Sequence, residues 1–414
     1  MSEIKAFNGI RPVQDKVSSI ASPPYDVLSS REAAEMAKNN PISFLHVVKP
    51  EIDLGEDIDP YCDAVYAAGK ANLQKLIDDG LMVQDESPCL YLYRQIMKIH
   101  GKDHVQVGLV AGVSVEEYEK GLIKKHEFTR VAKEADRTRH VETLNAQTGP
   151  VFLTYRAVPE IDQLITEYIR ETPVYDFEAD DGIQHTFWTI ADADRISALT
   201  EAFKPVPCMY IADGHHRSAS ACTVGRNRRE SNPNHNGTEL YNHYLAVIFP
   251  HDQMMILDYN RLVFDLNGLT ADALLERVEK VFEVEKSAEK KPDSPRVFGM
   301  FLNEQWYRLV AKDGTFDAND PVASLDVAIL QNNLLAPILG IGDPRTDDRI
   351  DFVGGIRGPE ELERRVRLEG AVAFTVFPTP IEQLMAIADA GEVMPPKSTW
   401  FEPKLRSGMV VKPL

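Results

Sequence analysis

The sequence predicts a mixed α/β protein of the α+β type, with an N-terminal and central region over residues 1–243 and a C-terminal α/β region over residues 244–414. Three observations predict this class. Segments with helical apolar periodicity alternate with short β-rich runs along the chain. The alternation restarts near residue 245, after a polar and turn-rich segment. A chain of 414 residues, of which 43% are hydrophobic and 26% charged, is also long enough to bury more than one core.

The elements of the first region follow from local patterns. Helical periodicity predicts helices over residues 30–40, 61–80 and 161–171. β-rich runs predict strands over residues 43–49, 150–157, 185–192 and 209–212, and two runs around Gly101 predict an antiparallel hairpin within residues 89–118. Residues 226–242 are polar and rich in turn formers, so we expect an exposed loop there.

The second region repeats the alternation. β-rich runs predict strands over residues 244–250, 254–264 and 371–377, and a hairpin over residues 296–313. Helical periodicity predicts helices over residues 271–283, 322–339, 359–370 and 380–391.

Charge and cysteine content exclude several classes of protein. A net charge of −19 repels nucleic acid over most of the surface. No apolar stretch reaches the ~18 residues of a membrane helix, and the start lacks the apolar core of a signal peptide, so we expect a cytoplasmic protein. The four cysteines form no C-x-x-C pair. The mixed basic segment 124–140 favours an anionic small molecule as ligand.

The stretch MYIADGHHRSA (209–219) carries the strongest functional signal. An apolar run ends at a turn formed by Asp213 and Gly214, and His215, His216 and Arg217 follow at the predicted start of a helix. Helix starts offer unpaired N–H groups and a positive dipole end, so this box is a candidate phosphate site. The alternative is a plain helix start capped by Asp213. A metal site is less favoured because adjacent histidines diverge on a helix.

A second candidate is the segment KHEFTR (125–130). It lacks the second histidine of an H-E-x-x-H zinc motif. Glu127, beside His126, could act as a general base toward a hydroxyl group. The alternative is a solvated helix held by ion pairs. Three arginines in and after this segment are candidates for binding a substrate carboxylate: Arg130, Arg137 and Arg139.

Two proline-constrained segments are further candidates. In MPPKSTWFEPKLRSG (394–408), Lys397, Ser398 and Thr399 could bind a phosphate. The segment is not a Walker A motif, because the glycines of that motif do not precede the lysine. The alternative is an exposed loop. In SPPYDVLS (22–29), two prolines position Tyr25 and Asp26, for a function or simply for a turn.

These segments together resemble a prokaryotic family catalogued as domain-of-unknown-function family 1015, from near residue 10 to the end. The ADGHHR box also resembles the G-(H/E)-(H/R)-R box of the ParB and sulfiredoxin superfamily, which includes a free serine kinase. That resemblance implies a ParB/sulfiredoxin-like core around the helix start, with Gly214, His215, His216 and Arg217 on nucleotide phosphates. Asp213 stands before the box in place of the sulfiredoxin cysteine, which leaves the kinase as the best analogy.

These observations favour a phosphotransferase that acts on a small hydroxyl metabolite such as serine, with a nucleotide or pyrophosphate as donor and Mg²⁺ as the expected metal. Glu127 would be the base, with His126 and Asp213 as further catalytic candidates. One alternative is a non-catalytic nucleotide-binding regulator of the ParB-like type. Another is a metal-dependent hydrolase that uses His126, His215 or His216.

Overall fold

The computed structural model describes residues 2–55, 57–99 and 101–414. Its α-helices within these residues, in chain order, are α1 Val17–Ile20, α2 Ser30–Ala37, α3 Leu45–Val48, α4 Asp63–Asp78, α5 Val115–Glu119, α6 Val131–Leu144, α7 Pro159–Tyr168, α8 Ala193–Phe203, α9 His215–Ser231, α10 Ala271–Val278, α11 Asp326–Leu330, α12 Gly358–Leu368 and α13 Ile381–Asp389. A π-helical segment, Gln331–Leu335, follows α11. In the same described ranges, no helix combines the length and apolar character that a membrane crossing requires.

The strands, also in chain order, are β1 Ile4–Lys5, β2 Ile10–Pro12, β3 Met82–Gln84, β4 Leu90–Ile99, β5 Lys102–Ser114, β6 Ile123–Lys124, β7 Ala146–Gln147, β8 Val151–Tyr155, β9 Tyr175–Glu178, β10 Gln184–Ile190, β11 Met209–Asp213, β12 His243–Pro250, β13 Met255–Leu257, β14 Tyr259–Val263, β15 Phe282–Lys286, β16 Val297–Leu302, β17 Gln305–Ala311, β18 Ile350–Gly354, β19 Val372–Val376, β20 Trp400–Glu402 and β21 Lys412–Pro413. Helices and strands alternate, as the sequence predicts, so the mixed α/β class is confirmed.

The chain divides into two compact units. Residues up to Met254 form the first unit together with Pro403–Leu414, and Met255–Glu402 form the second. This division differs from the expected regions 1–243 and 244–414 in two ways. Strand β12 pairs with β5 and β8, so the first unit continues past residue 243. The C-terminal residues also return to the first unit, where β21 pairs with β7.

A mixed sheet forms the centre of the first unit. Its strand order is β6-β11-β8-β12-β5-β4-β10-β9, with β1 on β5. Strand β11 runs parallel to β6 and antiparallel to β8, so the segments that follow β6 and β11 leave the same edge of the sheet side by side. The core combines fully buried side chains of the sheet and of the helices on it, such as Leu109, Ile211, Leu199 and Phe203.

The second unit contains its own sheet, in the order β15-β17-β16-β19-β14-β18, and a separate pair of strands, β13 and β20. The hairpin predicted over residues 296–313 is β16 and β17, which pair antiparallel. The run 254–264 contains two strands instead of one, since β13 and β14 lie in different sheets. Leu262 and Phe301 lie buried in the core of this unit.

Two local predictions in the first unit were wrong. The strand predicted over residues 43–49 is the short helix α3, where Leu45, Val47 and Val48 are all buried. So short an apolar run has too few residues for its periodicity to distinguish helix from strand. The loop predicted over residues 226–242 is helical up to Ser231, because α9 continues through the arginine-rich sequence.

Candidate functional site

The ADGHHR box lies at the junction of β11 and α9 in the first unit. Strand β11 ends at Asp213, and Gly214 is the N-cap of α9 with φ +94° and no side-chain cap. The expected alternative, with Asp213 as the cap, is therefore wrong. A Cβ at residue 214 would lie 3.0 to 3.3 Å from guanidinium atoms of Arg217. Only glycine meets both the backbone angle and this close approach.

Arg217 is a buried guanidinium with incompletely satisfied donors. Its side chain is 9% exposed, and Nη1 donates to the carbonyl oxygen of Pro150. Nη2 lies 3.5 Å from Oδ2 of Asp26 and 3.5 Å from Oδ2 of Asp213. Nε is buried and has no partner among the described residues. Because a guanidinium carries five N–H donors, an additional acceptor oxygen would improve the hydrogen bonding of this buried cation.

The charges around Arg217 hold its cation in place. Burial lowers the pKa of Arg217, but the carboxylates of Asp26 and Asp213 outweigh burial and hold the pKa above its usual value. Asp26 belongs to the SPPYDVLS segment, whose functional role the sequence left open. The structure places this segment beside the box.

Lys404 is a residue of the site that sequence reasoning did not assign. Its Nζ lies 3.3 Å from Oδ2 of Asp213, and both side chains are partly buried. Burial by itself would raise the pKa of Asp213, but the charges of Lys404 and Arg217 lower it well below its usual range. Lys404 is the second lysine of the segment MPPKSTWFEPKLRSG, whose first lysine was a candidate for phosphate binding. The sequence signal that could have identified Lys404 was its position in this segment.

His126 and His215 form a buried pair of rings beside the box. The ring centroids are 4.4 Å apart in an edge-to-face arrangement, and the side chains are 2% and 6% exposed. Burial lowers the pKa of His126 to about 4. Burial and the neighbouring His126 lower the pKa of His215 well below its usual value. Both rings are therefore neutral at pH 7.

The loop between β6 and α6 runs past the start of α9. The backbone N–H of Arg130 donates to Nε2 of His216, with the two atoms 3.0 Å apart. Glu127 lies in this loop, directly after His126, and is partly exposed. The alternative of a solvated helix is wrong for Glu127, because α6 begins only at Val131.

Two candidate arginines on α6 have different surroundings. Arg137 pairs with Asp136 and packs on the ring of Tyr25, with Cζ 4.1 Å from the ring centroid. Tyr25 precedes Asp26, so Arg137 and Arg217 contact neighbouring residues of one loop. Arg139 pairs with Asp63. It also packs over the ring of Tyr66, at 4.6 Å from the centroid.

The candidates Lys397, Ser398 and Thr399 belong to the second unit. Lys397 has φ +57°, and its Nζ lies 5.4 Å from the ring centroid of Tyr259. The Ser398 hydroxyl is buried and donates to the carbonyl oxygen of Pro395 at 2.6 Å, so it stabilises the turn in this conformation.

Metal binding was also expected at this site. Within the described parts of the chain, no group of three or more His, Cys, Asp or Glu side chains is arranged to hold a metal ion. The role of Mg²⁺ and the metal-dependent alternative remain predictions.

The sequence matches the family described as protein of unknown function (DUF1015) over residues 4–328. The chain belongs to the DUF1015 family. This confirms the family expected from the quoted motifs. The matched range of this DUF1015 protein includes SPPYDV, KHEFTR and ADGHHR, whereas the PPKST segment follows it. Among curated proteins, none has significant sequence similarity to this DUF1015 protein.

Several solved structures are similar to this DUF1015 protein at low identity. A free serine kinase in complex with AMP is 14% identical, with a TM-score of 0.36, over 70% of this chain and 86% of the kinase. SbnI from Staphylococcus aureus, with a C-terminal truncation, is 11% identical, with a TM-score of 0.38, over 72% of this chain and 85% of SbnI. A conserved hypothetical protein from Pyrococcus furiosus is 13% identical, with a TM-score of 0.37, over 73% of this chain and 95% of that protein. At these scores, no residue role transfers to this DUF1015 protein.

Proposed function

We propose that this protein binds a small phosphorylated ligand at the start of α9 and transfers its phosphoryl group to a small hydroxyl metabolite. The observation that carries the proposal is Arg217, a buried cation whose Nε has no partner in the described chain and whose two carboxylate contacts are both 3.5 Å long. A phosphate oxygen would supply the missing acceptor. The positive end of the α9 dipole would favour the same anion.

The proposed reaction needs an acceptor, a donor and a base. An oxygen of the acceptor hydroxyl attacks the terminal phosphorus of a nucleotide or pyrophosphate. The new O–P bond forms as the bond from phosphorus to the leaving phosphate oxygen breaks, and the leaving group takes that electron pair. The hydroxyl proton passes to the Glu127 carboxylate, with His126 and Asp213 as the neighbouring catalytic candidates.

Charge neutralisation in the proposed site comes mainly from cations of the chain. Arg217 and Lys404 both contact Oδ2 of Asp213, so two cations of the chain share this one carboxylate oxygen. Mg²⁺ would supply further neutralisation of the donor phosphates. Because the described residues offer no cluster of three metal-ligating side chains, phosphate oxygens and water would have to provide most of its ligands.

The test is a calorimetric titration with pyrophosphate, ADP and ATP, each with and without Mg²⁺. Arg217→Ala should weaken binding by about 1.5 to 3 kcal/mol, the range for a charged hydrogen bond. Arg226→Ala is the matched control, since Arg226 lies on the same helix and pairs with Glu119. Unchanged affinity in folded Arg217→Ala would remove the box from the site.

Turnover separates the enzyme from the regulator. Phosphorylated product from serine or another small hydroxyl compound supports the transferase. Tight nucleotide binding without product from any donor supports the non-catalytic regulator instead.

A further inference from the structure

Two segments leave the same edge of the sheet in the first unit and are joined there by hydrogen bonds. The loop from Lys125 to Arg130 follows β6, and α9 follows β11, which runs parallel to β6. Nε2 of His216 accepts the backbone N–H of Arg130 at 3.0 Å. Nε2 of His215 accepts the backbone N–H of His126 over a longer distance, 3.5 Å, and these two rings also pack edge to face. Consecutive histidines of the ADGHHR box therefore hold both ends of the loop.

Glu127 lies between these two anchored positions, in a stretch whose apolar side chains are exposed. It follows His126 directly and precedes Arg130 by three residues. Phe128 is 68% exposed and Val131 is 85% exposed, so neither side chain anchors the loop in a core. The position of Glu127 therefore depends on the hydrogen bonds that tie the loop to α9.

Glu134 of α6 continues the join beyond the loop. Its Oε2 accepts from Oγ1 of Thr129 at 2.9 Å, and its Oε1 accepts from Oγ1 of Thr223 at 3.3 Å. Thr129 belongs to the loop, whereas Thr223 belongs to α9. The loop is thus tied to α9 through Glu134 as well as through His215 and His216.

The bonds to the loop fix the protonation of both imidazoles. A ring nitrogen that accepts an N–H carries no proton, so each ring keeps its proton on Nδ1 and is neutral. Burial and the neighbouring His126 lower the pKa of His215, in agreement with a neutral ring. Nε2 cannot then donate to a phosphate oxygen, so this nitrogen of His215 and of His216 holds the loop instead of an anion.

We infer that His215 and His216 are positioning residues, which hold the loop that carries Glu127 beside the start of α9. The inference rests on the proposed function, in which Glu127 takes the proton of the acceptor hydroxyl. A base must lie within hydrogen-bond reach of the proton that it removes, and a displacement of about 1 Å costs on the order of 100-fold in rate. Loss of the bonds should therefore lower turnover and leave donor binding intact.

The experiment measures turnover and pyrophosphate affinity in two variants of His216, whose bond is the shorter one. His216→Leu removes the acceptor and should lower kcat for phosphorylation of serine about tenfold or more, while pyrophosphate affinity stays within about twofold. His216→Gln supplies an amide oxygen as acceptor and should restore most of the lost rate. Wild-type kcat in folded His216→Leu would overturn the inference. An equal fall in pyrophosphate affinity would also overturn it, in favour of direct phosphate contact.

The same hydrogen bond can be removed from the loop side. Arg130→Pro removes the backbone N–H, and φ −88° with ψ 126° at this residue is close to the extended conformation that proline adopts. Arg130→Ala is the reference, because it removes the same guanidinium and keeps the N–H. Arg130→Pro should be about tenfold slower than Arg130→Ala, and adding His216→Leu to it should cause little further loss. Equal rates in the proline and alanine variants would contradict the inference, also where His216→Leu does not fold.

His251→Leu is the matched control. Nδ1 of His251 also accepts a backbone N–H, from Ala157 at 3.1 Å. Because β8 runs antiparallel to β11, this bond lies at the opposite end of the strands from the ADGHHR box. Its removal should leave kcat and pyrophosphate affinity unchanged.

Nuclear magnetic resonance tests the bond itself without any substrate. A scalar coupling between the amide nitrogen of Arg130 and Nε2 of His216 should be present in the wild-type protein and absent in Arg130→Pro. Its absence in the wild-type protein would overturn the inference. Absence of turnover in a wild-type protein that shows the coupling would instead refute the proposed transfer reaction.

Discussion

Lys404 follows Asp213 by 191 residues in the chain, yet its Nζ lies 3.3 Å from Oδ2 of that aspartate. The contact ties the C-terminal segment to the start of α9. Gln95, which is fully buried, donates to the backbone carbonyl of Lys404 at 2.9 Å. Arg406, which lies two residues after Lys404, forms an ion pair with Asp181. The backbone of Lys404 is therefore fixed by a hydrogen bond from Gln95 of β4, and its side chain is fixed by the ion pair with Asp213.

The Lys404 to Asp213 pair should contribute measurable coupling. In a double-mutant cycle of Lys404→Met and Asp213→Asn, urea unfolding at pH 7 should give about 1 kcal/mol of coupling, because the pair is only partly buried. The lowered pKa of Asp213 means that its stabilisation is present above the unfolded value near 4 and is lost as pH falls through the folded pKa. Additive single effects at pH 7 would contradict this prediction.

Gly214→Ala should destabilise the protein and distort the box. The residue has φ +94°, and the added Cβ would lie 3.0 Å from Nε of Arg217. A left-handed alanine costs about 1 to 2 kcal/mol, and displacement of the guanidinium should weaken pyrophosphate binding as well. Thermal unfolding and calorimetry check both effects. The control is Gly121→Ala. Gly121 has φ +73°, but nothing lies within 4 Å of the Cβ that alanine would add, so stability should fall while pyrophosphate binding stays unchanged.

His126→Phe should reduce the dependence of stability on pH. Because burial lowers the pKa of His126 to about 4, the unfolded chain binds this proton more readily between that value and about 6.5. Stability should therefore fall as pH decreases through this window, by at most about 1.4 kcal/mol per pH unit for one histidine. Urea unfolding at several pH values measures the slope. An equal slope in wild type and His126→Phe would show that His126 is not buried in the neutral form.

Glu127→Gln should separate binding from turnover. The amide keeps size and hydrogen bonding but cannot accept the proton, so turnover should fall about 100-fold or more while pyrophosphate still binds. Product formation from serine and each donor is the measurement. If Glu127 is only a surface group, the change should alter stability by less than about 1 kcal/mol and leave the rate untouched.

Lys397→Ala should lower donor affinity or turnover without loss of fold, if the PPKST segment contributes a cation to phosphate binding. Lys397 has φ +57°, so the alanine variant keeps the same backbone requirement. Lys312→Ala is the control for removal of a lysine from the second unit, since Lys312 is partly exposed and donates to the carbonyl oxygen of Glu279. Wild-type affinity and rate in Lys397→Ala would remove the segment from the site.

Much of the secondary structure could be predicted because its signals are local. The helix of residues 61–80 is indicated by its helical apolar periodicity, and the hairpins are indicated by β-rich runs on either side of a turn. Both signals lie within a few neighbouring residues. The error at residues 43–49 has the opposite cause. Phe44, Leu45 and Val47 are buried in one core cluster with residues of several other elements. The local sequence pattern contains no information about those contacts.

The sequence by itself determined the mixed α/β class, the family and the strand-to-helix junction at Gly214, since each can be recognised from short runs of neighbouring residues. Only the tertiary structure decided which distant side chains share that junction. Asp26 and Lys404 meet the box, and Arg137 packs on the same loop that carries Asp26, because sheet pairing and helix packing bring their segments together. Charge pairing across such separations depends on three-dimensional distance, which sequence spacing does not encode.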